Sequence, residues 1–252
     1  MGVISSFLSL LLAAYTVLVE PILRTNFYRN LKKQLKIDPK ARLLYYRTNV
    51  LWEWSWVIVL AVILIPIPHP LNFIGLTMPS LPGWIILAAL VFGIGLSIFL
   101  LRQNPRALSS MQRSLESSSV ILPSTPSERK WYAALSITAG ICEELLYRGF
   151  LLSFMAIYFP GLGWLFSSII SGIIYGLSHI YLGRKNMLQT ALNGFSFAIV
   201  YFLSGNLLSA ISNSQPVALV GSLIPAMVFH VLAELRPLFL WQPDENKKKA
   251  RS

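Results

Sequence analysis

The sequence contains little charge and almost no cysteine. Only 12% of its 252 residues are Asp, Glu, Lys or Arg, whereas 55% are hydrophobic, and the mean hydropathy is +0.61. Soluble domains usually carry about a quarter charged residues, so this composition excludes an ordinary soluble domain and a disordered chain. The single cysteine, Cys142, excludes an internal disulfide framework. We therefore expect an integral, multi-pass membrane protein that has the lipid bilayer as a partner.

Acidic residues are scarcer than basic ones. The chain has 10 Asp and Glu against 21 Lys and Arg, which gives a formal net charge of +11. The basic residues lie in connections beside apolar runs, and no basic recognition helix or aromatic RNA-binding motif is present. We therefore expect no nucleic-acid partner, and the positive-inside rule explains the charge better.

Seven long apolar runs predict an all-α polytopic transmembrane bundle. They are residues 3–23, 51–67, 84–101, 131–159, 162–182, 187–203 and 217–235. The connection 24–47 holds eight basic residues and one acidic residue, whereas 68–83 holds none of either kind. With the N-terminus outside and the C-terminus cytoplasmic, every charged connection lies on the cytoplasmic side. We expect this topology in the cell (inner) membrane.

A segment rich in Ser, with two Pro residues, divides the chain at 109–130. The predicted organisation is three N-terminal transmembrane helices with a basic cytoplasmic loop in 1–108, a cytoplasmic elbow with one short amphipathic helix in 109–130, a four-helix core in 131–235 and a basic cytoplasmic tail in 236–252. No internal repeat suggests the inverted halves of a transporter.

The fourth predicted span carries three ionisable residues: Glu143, Glu144 and Arg148. A charge at the centre of a membrane helix costs about 2.5–3.5 kcal/mol on the insertion scale. Glu144 and Arg148 are four residues apart and can pair on one helical face. Glu143 points about 100° away, and we predict that it has no such partner and is free for chemistry. Glu20 and Glu53, near the ends of other spans, are interpreted as interfacial.

Two of the three histidines also lie within predicted spans. His179 is in the fifth span, and His230 lies four residues before Glu234 on the seventh, so this imidazole and carboxylate share one face. Glu143, His179 and His230 all lie in the cytoplasmic halves of their spans. We therefore predict a polar cavity that is reached from the cytoplasm. Each group alone could be a structural contact between helices, but six together favour a functional site.

These residues resemble the intramembrane CAAX-type proteases and bacteriocin-processing enzymes (CPBP, formerly Abi), which include the prenyl-protein type II protease. The resemblance covers roughly 131–235. Its three motifs are matched in order by Glu143, Glu144 and Arg148 before Gly149 and Phe150, by Tyr175 and His179, and by His230 after Gly221, Ser222 and Leu223. Glu234 stands where the family usually has Asn, and the stretch 205–219 is longer than the usual link.

The resemblance implies an intramembrane endopeptidase acting on membrane-associated or prenylated protein or peptide substrates. Glu143, assisted by His179, would be the general base for a water that attacks a peptide carbonyl, and His230 with residue 234 would hold the oxyanion. Glu234 would then be a protonated donor, favoured by burial. A metal version stays open, in which Glu143, His179 and His230, or Glu234, bind Zn²⁺, and no cofactor is certain.

Two other classes of function stay open at this point. A proton- or ion-coupled transporter could use the same buried Glu and His groups as a relay, and a non-enzymatic membrane scaffold could use them as helix contacts. The sequence does not indicate an oligomeric state.

Overall fold

The computed structural model describes residues 3–116, 118–205 and 221–241, and the side chains from residue 5 onward in those ranges. Every regular element in these ranges is helical. The predicted all-α class is therefore confirmed.

Nine helices, α1 to α9, are described, together with two 3₁₀ turns at Pro160–Leu162 and Ile180–Leu182. Helix α1 runs through Val3–Ala14, a π-helical turn at Tyr15–Val19 and Glu20–Gln34. Helix α6 runs through Pro126–Glu144, a π-helical segment at Leu145–Leu151 and Leu152–Tyr158. The others are α2 (Ala41–Leu64), α3 (Pro70–Phe73), α4 (Leu81–Gln103), α5 (Pro105–Glu116), α7 (Gly163–Ser178), α8 (Arg184–Ser204) and α9 (Leu223–Leu240).

Six stretches of the described chain are long and apolar enough to cross a membrane: Ser5–Gln34, Ala41–Leu64, Leu81–Gln103, Pro160–Ser178, Arg184–Ser204 and Leu223–Leu240. The remaining predicted span, 131–159, corresponds to α6, which is long but interrupted by charged residues. The expectation of about seven spans agrees with this count, and the protein is an integral, multi-pass membrane protein.

The elbow between the N-terminal and C-terminal helices is anchored to α2. It contains the predicted amphipathic helix, α5. Helix α6 begins at Pro126, five residues before the predicted start, because Thr125 and Glu128 form a capping box at its N-terminus. Arg42 of α2 donates to Glu128 at 3.0 Å and to the Val120 carbonyl at 2.9 Å. The elbow is therefore a fixed part of the bundle.

The basic connection predicted at 24–47 is mostly helical. Helix α1 continues to Gln34, and α2 begins at Ala41. Two of its eight basic residues are not loop charges at all, because Arg42 is buried against the elbow and Arg24 lies inside the bundle. The apolar pattern missed this because both residues follow an apolar run, where cations are usually interfacial.

The core lies between α6 and its neighbours. Helix α6 packs extensively against α2 and α9, and α7 packs against α8. Gly140 lets α6 approach α9 closely, since a Cβ there would lie 2.7 Å from the Val231 nitrogen. Helix α9 begins where the Leu223 amide donates to the Gly75 carbonyl at 2.8 Å. The catalytic core predicted in 131–235 is thus closely surrounded by helices from residues 1–108.

Two predicted segments fall outside the described residues in whole or in part. The link at 205–219 is described only at residue 205. The predicted basic tail, 236–252, is helical up to Leu240 and lies outside the described residues beyond 241.

Candidate active site

Glu143 has a partner that the sequence reasoning did not foresee. Its Oε1 accepts a hydrogen bond from Nη2 of Arg24 at 2.7 Å. Arg24 comes from α1, and the Glu143 side chain is only 3% exposed. The prediction that Glu143 has no basic partner is therefore wrong. Intrahelical spacing could not reveal this contact, because its two residues are 119 positions apart.

Glu144 is the centre of a buried three-residue network. Its Oε1 accepts from Nη1 of Arg148 at 2.8 Å, which confirms the predicted pair on α6. The same oxygen lies 2.8 Å from Nδ1 of His230 on α9. Since an ionised carboxylate only accepts, Nδ1 of His230 carries the proton in this contact. Glu144 thus fixes the tautomer and the orientation of His230.

Arg148 ties this network to α8. Its Nη2 donates to the Gly194 carbonyl at 2.7 Å, and its guanidinium lies 4.8 Å from the centroid of the Tyr175 ring. The side chain is fully buried. Arg148 thus contacts Glu144, Gly194 and Tyr175. These contacts hold its guanidinium in place beside the Glu144 carboxylate.

His230 connects the two glutamates. Its Nε2 lies 3.1 Å from the hydroxyl of Tyr175 and 3.7 Å from Oε2 of Glu143. Its ring stacks on Phe197 with the centroids 4.4 Å apart. With Nδ1 protonated toward Glu144, neutral His230 has an acceptor at Nε2, and protonated His230 has a donor there. That nitrogen faces Tyr175 and Glu143.

His179 is oriented by its own helix end. It lies directly after α7, and its Nδ1 is 3.0 Å from the Tyr175 carbonyl, which can only accept. Nδ1 therefore carries the proton in the neutral ring, and Nε2 is left unprotonated. Because His179 also lines the cleft described next, it presents a basic nitrogen there.

An open cleft with about 540 Å³ of empty space lies between these helices. Glu143, His179 and Glu234 all line it. Its remaining wall comes from α1, α2, α6, the elbow and the turn after α7. It consists of Arg24, Tyr45, Tyr46, Asn49, Glu53, Ile121, Tyr132, Leu135, Ser136, Ala139 and Tyr181. The predicted polar cavity is thus present, and it opens toward the charged end of the bundle.

Glu234 lies at the cleft without joining the buried network. Its side chain is exposed, and its backbone carbonyl accepts from Tyr132 and Ser136, each at 3.3 Å. We expected burial to keep this carboxyl protonated. Because the side chain is exposed to the cleft, the protonated form stays a prediction.

Two carboxylates interpreted as interfacial belong to the site. Glu20 and Glu53 are only 3% and 4% exposed. Arg24 donates from Nε to Glu20 at 2.8 Å, and its Nη2 lies 3.6 Å from Glu53. The interfacial interpretation is therefore wrong for both. A signal was available, since an ionisable residue in an apolar span is by default a candidate functional group.

The donors do not form a metal site as they are arranged. In the part of the chain that the structure describes, no three His, Cys, Asp or Glu side chains form a group that could hold a metal ion. The Arg24 guanidinium contacts Glu143, so a divalent cation bound to this carboxylate would lie beside another positive charge. The proposed ligand set of Glu143, His179 and His230 thus does not fit Zn²⁺ in this arrangement.

The comparison with protein families agrees with the motifs. Residues 126–213 match the family described as type II CAAX prenyl endopeptidase Rce1-like. The matched segment includes Glu143, Glu144, Arg148 and His179, and it ends before His230. The match covers about a third of the chain, and it supports the resemblance to the CAAX-type (CPBP) family to which the motifs point. No curated protein and no solved structure matches the chain significantly.

Proposed function

We propose that the protein is an intramembrane endopeptidase that hydrolyses peptide bonds of membrane-associated substrates with a water activated by Glu143. The observation that carries this proposal is the arrangement of Glu143 at a polar cleft, with His179 beside the same cleft and His230 within 3.7 Å. The family match supports a CAAX-type intramembrane protease in general. It favours hydrolysis over the transporter and scaffold alternatives.

Glu143 is suited to be the general base. One of its oxygens, Oε1, is bound by Arg24, so Oε2 is the oxygen left to take a proton from water. The unprotonated Nε2 of His179 would accept a second hydrogen bond from the same water and orient it. After the attack, the proton on Glu143 would pass to the leaving amine, which restores the carboxylate.

His230 is suited to stabilise the oxyanion. Glu144 accepts from its Nδ1 at 2.8 Å, and this contact favours the protonated imidazole. A protonated His230 presents an Nε2–H donor toward the cleft side of Glu143, and the Tyr175 hydroxyl offers a second donor 3.1 Å from that nitrogen. Donors aimed at a developing oxyanion in a buried site are among the strongest contributors to catalysis. The step requires no metal ion.

Membrane-associated proteins or peptides are the substrate class that this location favours. The bundle presents exposed apolar side chains along its spans, including those of α4, while the cleft opens at the end that carries the basic connections. A substrate anchored in the bilayer by a lipid or by an apolar segment would reach the cleft from the lipid. Prenylated peptides are the first substrates to test, because the matched family is described as prenyl endopeptidases.

The test is peptide cleavage by purified protein in detergent. Quenched fluorescent peptides with a C-terminal CAAX sequence would be compared in farnesylated and unmodified forms. We expect turnover by the wild type and a loss of about 10²–10⁴-fold in kcat for Glu143→Gln, which keeps the shape but removes the base. Glu116→Gln, an exposed glutamate of α5, is the matched control and should keep full activity. Wild-type turnover by Glu143→Gln would contradict the role of Glu143, and ion flux in liposomes without peptide cleavage would favour the transporter.

A further inference from the structure

Arg24 bridges three helices through three carboxylates. It donates from Nε to Glu20 of its own helix at 2.8 Å and from Nη2 to Glu143 of α6 at 2.7 Å, and Nη2 also lies 3.6 Å from Glu53 of α2. The Arg24 side chain is 12% exposed, and all three glutamates are buried. This cluster lies outside the matched residues 126–213 except for Glu143.

The guanidinium is itself held by Glu20, which has a second partner. Glu20 Oε2 accepts from the Tyr147 hydroxyl at 2.9 Å. Tyr147 lies in the π-helical segment of α6, and it is fully buried. Glu20 therefore holds Nε of Arg24 while Nη2 contacts Glu143. A planar guanidinium suits this arrangement, because its N–H groups form a rigid fork that can serve two carboxylates at once.

The contact has a direct consequence for the proposed base. Because Arg24 occupies Oε1 of Glu143, the carboxylate is held with Oε2 toward Nε2 of His230, 3.7 Å away. A free glutamate side chain would rotate among several rotamers. Position matters for catalysis, because a misplacement of the base by 1 Å can lower the rate by up to about 100-fold.

We propose that Arg24 is the positioning residue of Glu143, so that helix α1 completes the active site from outside the segment that carries the family motifs. This inference rests on the proposed function, in which Glu143 is the general base. Arg24 acts through Glu143 and has no chemical step of its own. Glu20 and Glu53 act on Arg24 in turn, and they are needed for its position but not for proton transfer.

Removal of Arg24 alone would also destabilise the fold, because three buried carboxylates would lose their cation. Two designs separate positioning from stability. Arg24→Lys keeps the charge but replaces the planar fork with a single nitrogen, which lacks the two separate nitrogens that contact Glu20 and Glu143. The triple variant Arg24→Gln, Glu20→Gln, Glu53→Gln removes the cation together with the two carboxylates that are not the base, so most of the uncompensated charge is removed.

The matched control is a buried Arg–Glu pair that lies away from the candidate site. Arg42 and Glu128 lie 3.0 Å apart, join α2 to the elbow and contact neither Glu143 nor His230. The double variant Arg42→Gln, Glu128→Gln removes a comparable ion pair, and Gln still supports the capping box at Thr125. It measures how the loss of a buried ion pair away from Glu143 changes kcat and melting temperature.

The experiment measures kcat, KM and melting temperature for all variants beside wild type and Glu143→Gln in the peptide assay. We expect the triple variant to melt near the wild type and to lose about 100-fold in kcat with little change in KM, and Arg24→Lys to lose about 10-fold. The Arg42 and Glu128 double variant should keep its kcat. Wild-type kcat in a folded triple variant, with Glu143→Gln inactive, would overturn this inference alone. An active Glu143→Gln, or a wild type without turnover, would contradict the proposed function as well.

Discussion

Glu143 and Glu144 are neighbours on one helix and are both buried, yet their partners differ. Arg24 contacts Glu143 and also Glu20, so it keeps a carboxylate partner if Glu143 is neutralised. Arg148 has Glu144 as its carboxylate, and its second contact is a backbone carbonyl. The two glutamates should therefore respond differently to the same substitution.

Glu144→Gln should lower stability and activity together. The change leaves Arg148 charged and buried without a carboxylate, and breaking a buried pair in this way costs about 3–5 kcal/mol. It also removes the charge that orients His230. A thermal melt in detergent should show a clear loss for Glu144→Gln and a much smaller one for Glu143→Gln. Equal melting temperatures for the two variants would contradict the different roles of these carboxylates.

Glu234 should tolerate neutral substitution. Its side chain is exposed at the cleft, and an ionised carboxylate near a developing oxyanion would oppose the reaction. Glu234→Gln and Glu234→Asn should therefore preserve or raise kcat, and they should shift the free energy of unfolding by no more than about 0.5 kcal/mol, as is usual for exposed sites.

Elemental analysis of the same Glu234 variants tests the metal alternative. We expect neither the wild type nor the variants to contain stoichiometric zinc. Zinc in the wild type that Glu234→Asn loses together with its activity would contradict the proposed mechanism, because the loss of a metal ligand weakens both binding and catalysis.

At the scale of elements, two π-helical segments adjoin the site. The turn at Tyr15–Val19 directly precedes Glu20, and the segment at Leu145–Leu151 directly follows Glu144 and contains Arg148. A π segment shifts the register of the residues beyond it, and such segments are frequent at functional sites. The apolar pattern of these helices gave no sign of them, because it reports the average period and not the local winding.

The sequence predicted which segments are helical more accurately than the residues at which the helices begin and end. Each predicted span has a counterpart, but α6 begins earlier because of its capping box, and α9 covers Leu223–Leu240 where 217–235 was predicted. The pair of Glu144 and Arg148 was predictable because it lies within one helix. The contact of Arg24 with Glu143 was not, since it depends on how α1 packs against α6.

The close approach of α6 and α9 gives a prediction for Gly140→Ala. The added Cβ would lie 2.7 Å from the nitrogen and 2.9 Å from the Cα of Val231, the residue after His230. Backbone atoms cannot move aside as a side chain can, so α9 must shift away from Glu143 and Glu144. We expect a loss of about 1–3 kcal/mol in stability, typical of overpacking, and a loss of activity in the protein that stays folded.

Gly93→Ala is the matched control for the Gly140 experiment. Gly93 lies in α4, and a Cβ there would meet nothing within 4 Å. Melting temperature and peptide cleavage should be unchanged or slightly improved, because Ala is the better helix former. If Gly140→Ala behaved like Gly93→Ala, the close contact of α6 with α9 would not be required for the site.

At the scale of the whole molecule, the site is assembled from both halves of the chain. Glu143, His179 and His230 come from α6 to α9, whereas Arg24, Glu20 and Glu53 come from α1 and α2. The chemistry of the first group follows from motifs in the sequence. The second group consists of isolated charges without a motif, which only their convergence in three dimensions distinguishes from charges at the membrane surface.

The two ends of the bundle also differ in charge. The connection after α1 carries Lys36 and Lys40, and α8 begins with Arg184 and Lys185. The connection between α2 and α4 and the turn before α7 carry no charged residue. The cleft opens at the charged end. By the positive-inside rule, we predict that this end is cytoplasmic, that the N-terminus lies outside and that substrates are cleaved from the cytoplasmic side.

Single-cysteine labelling in intact cells tests this orientation. In a Cys142→Ala background, a cysteine at Asn72 should react with a membrane-impermeant maleimide, because this exposed residue lies in the connection between α2 and α4, at the uncharged end. A cysteine at Lys36, equally exposed between α1 and α2, should react only after the cells are permeabilised. Labelling at Lys36 but not at Asn72 in intact cells would reverse the topology. The cleft would then face away from the cytoplasm, and substrates would have to be sought on the other side of the membrane.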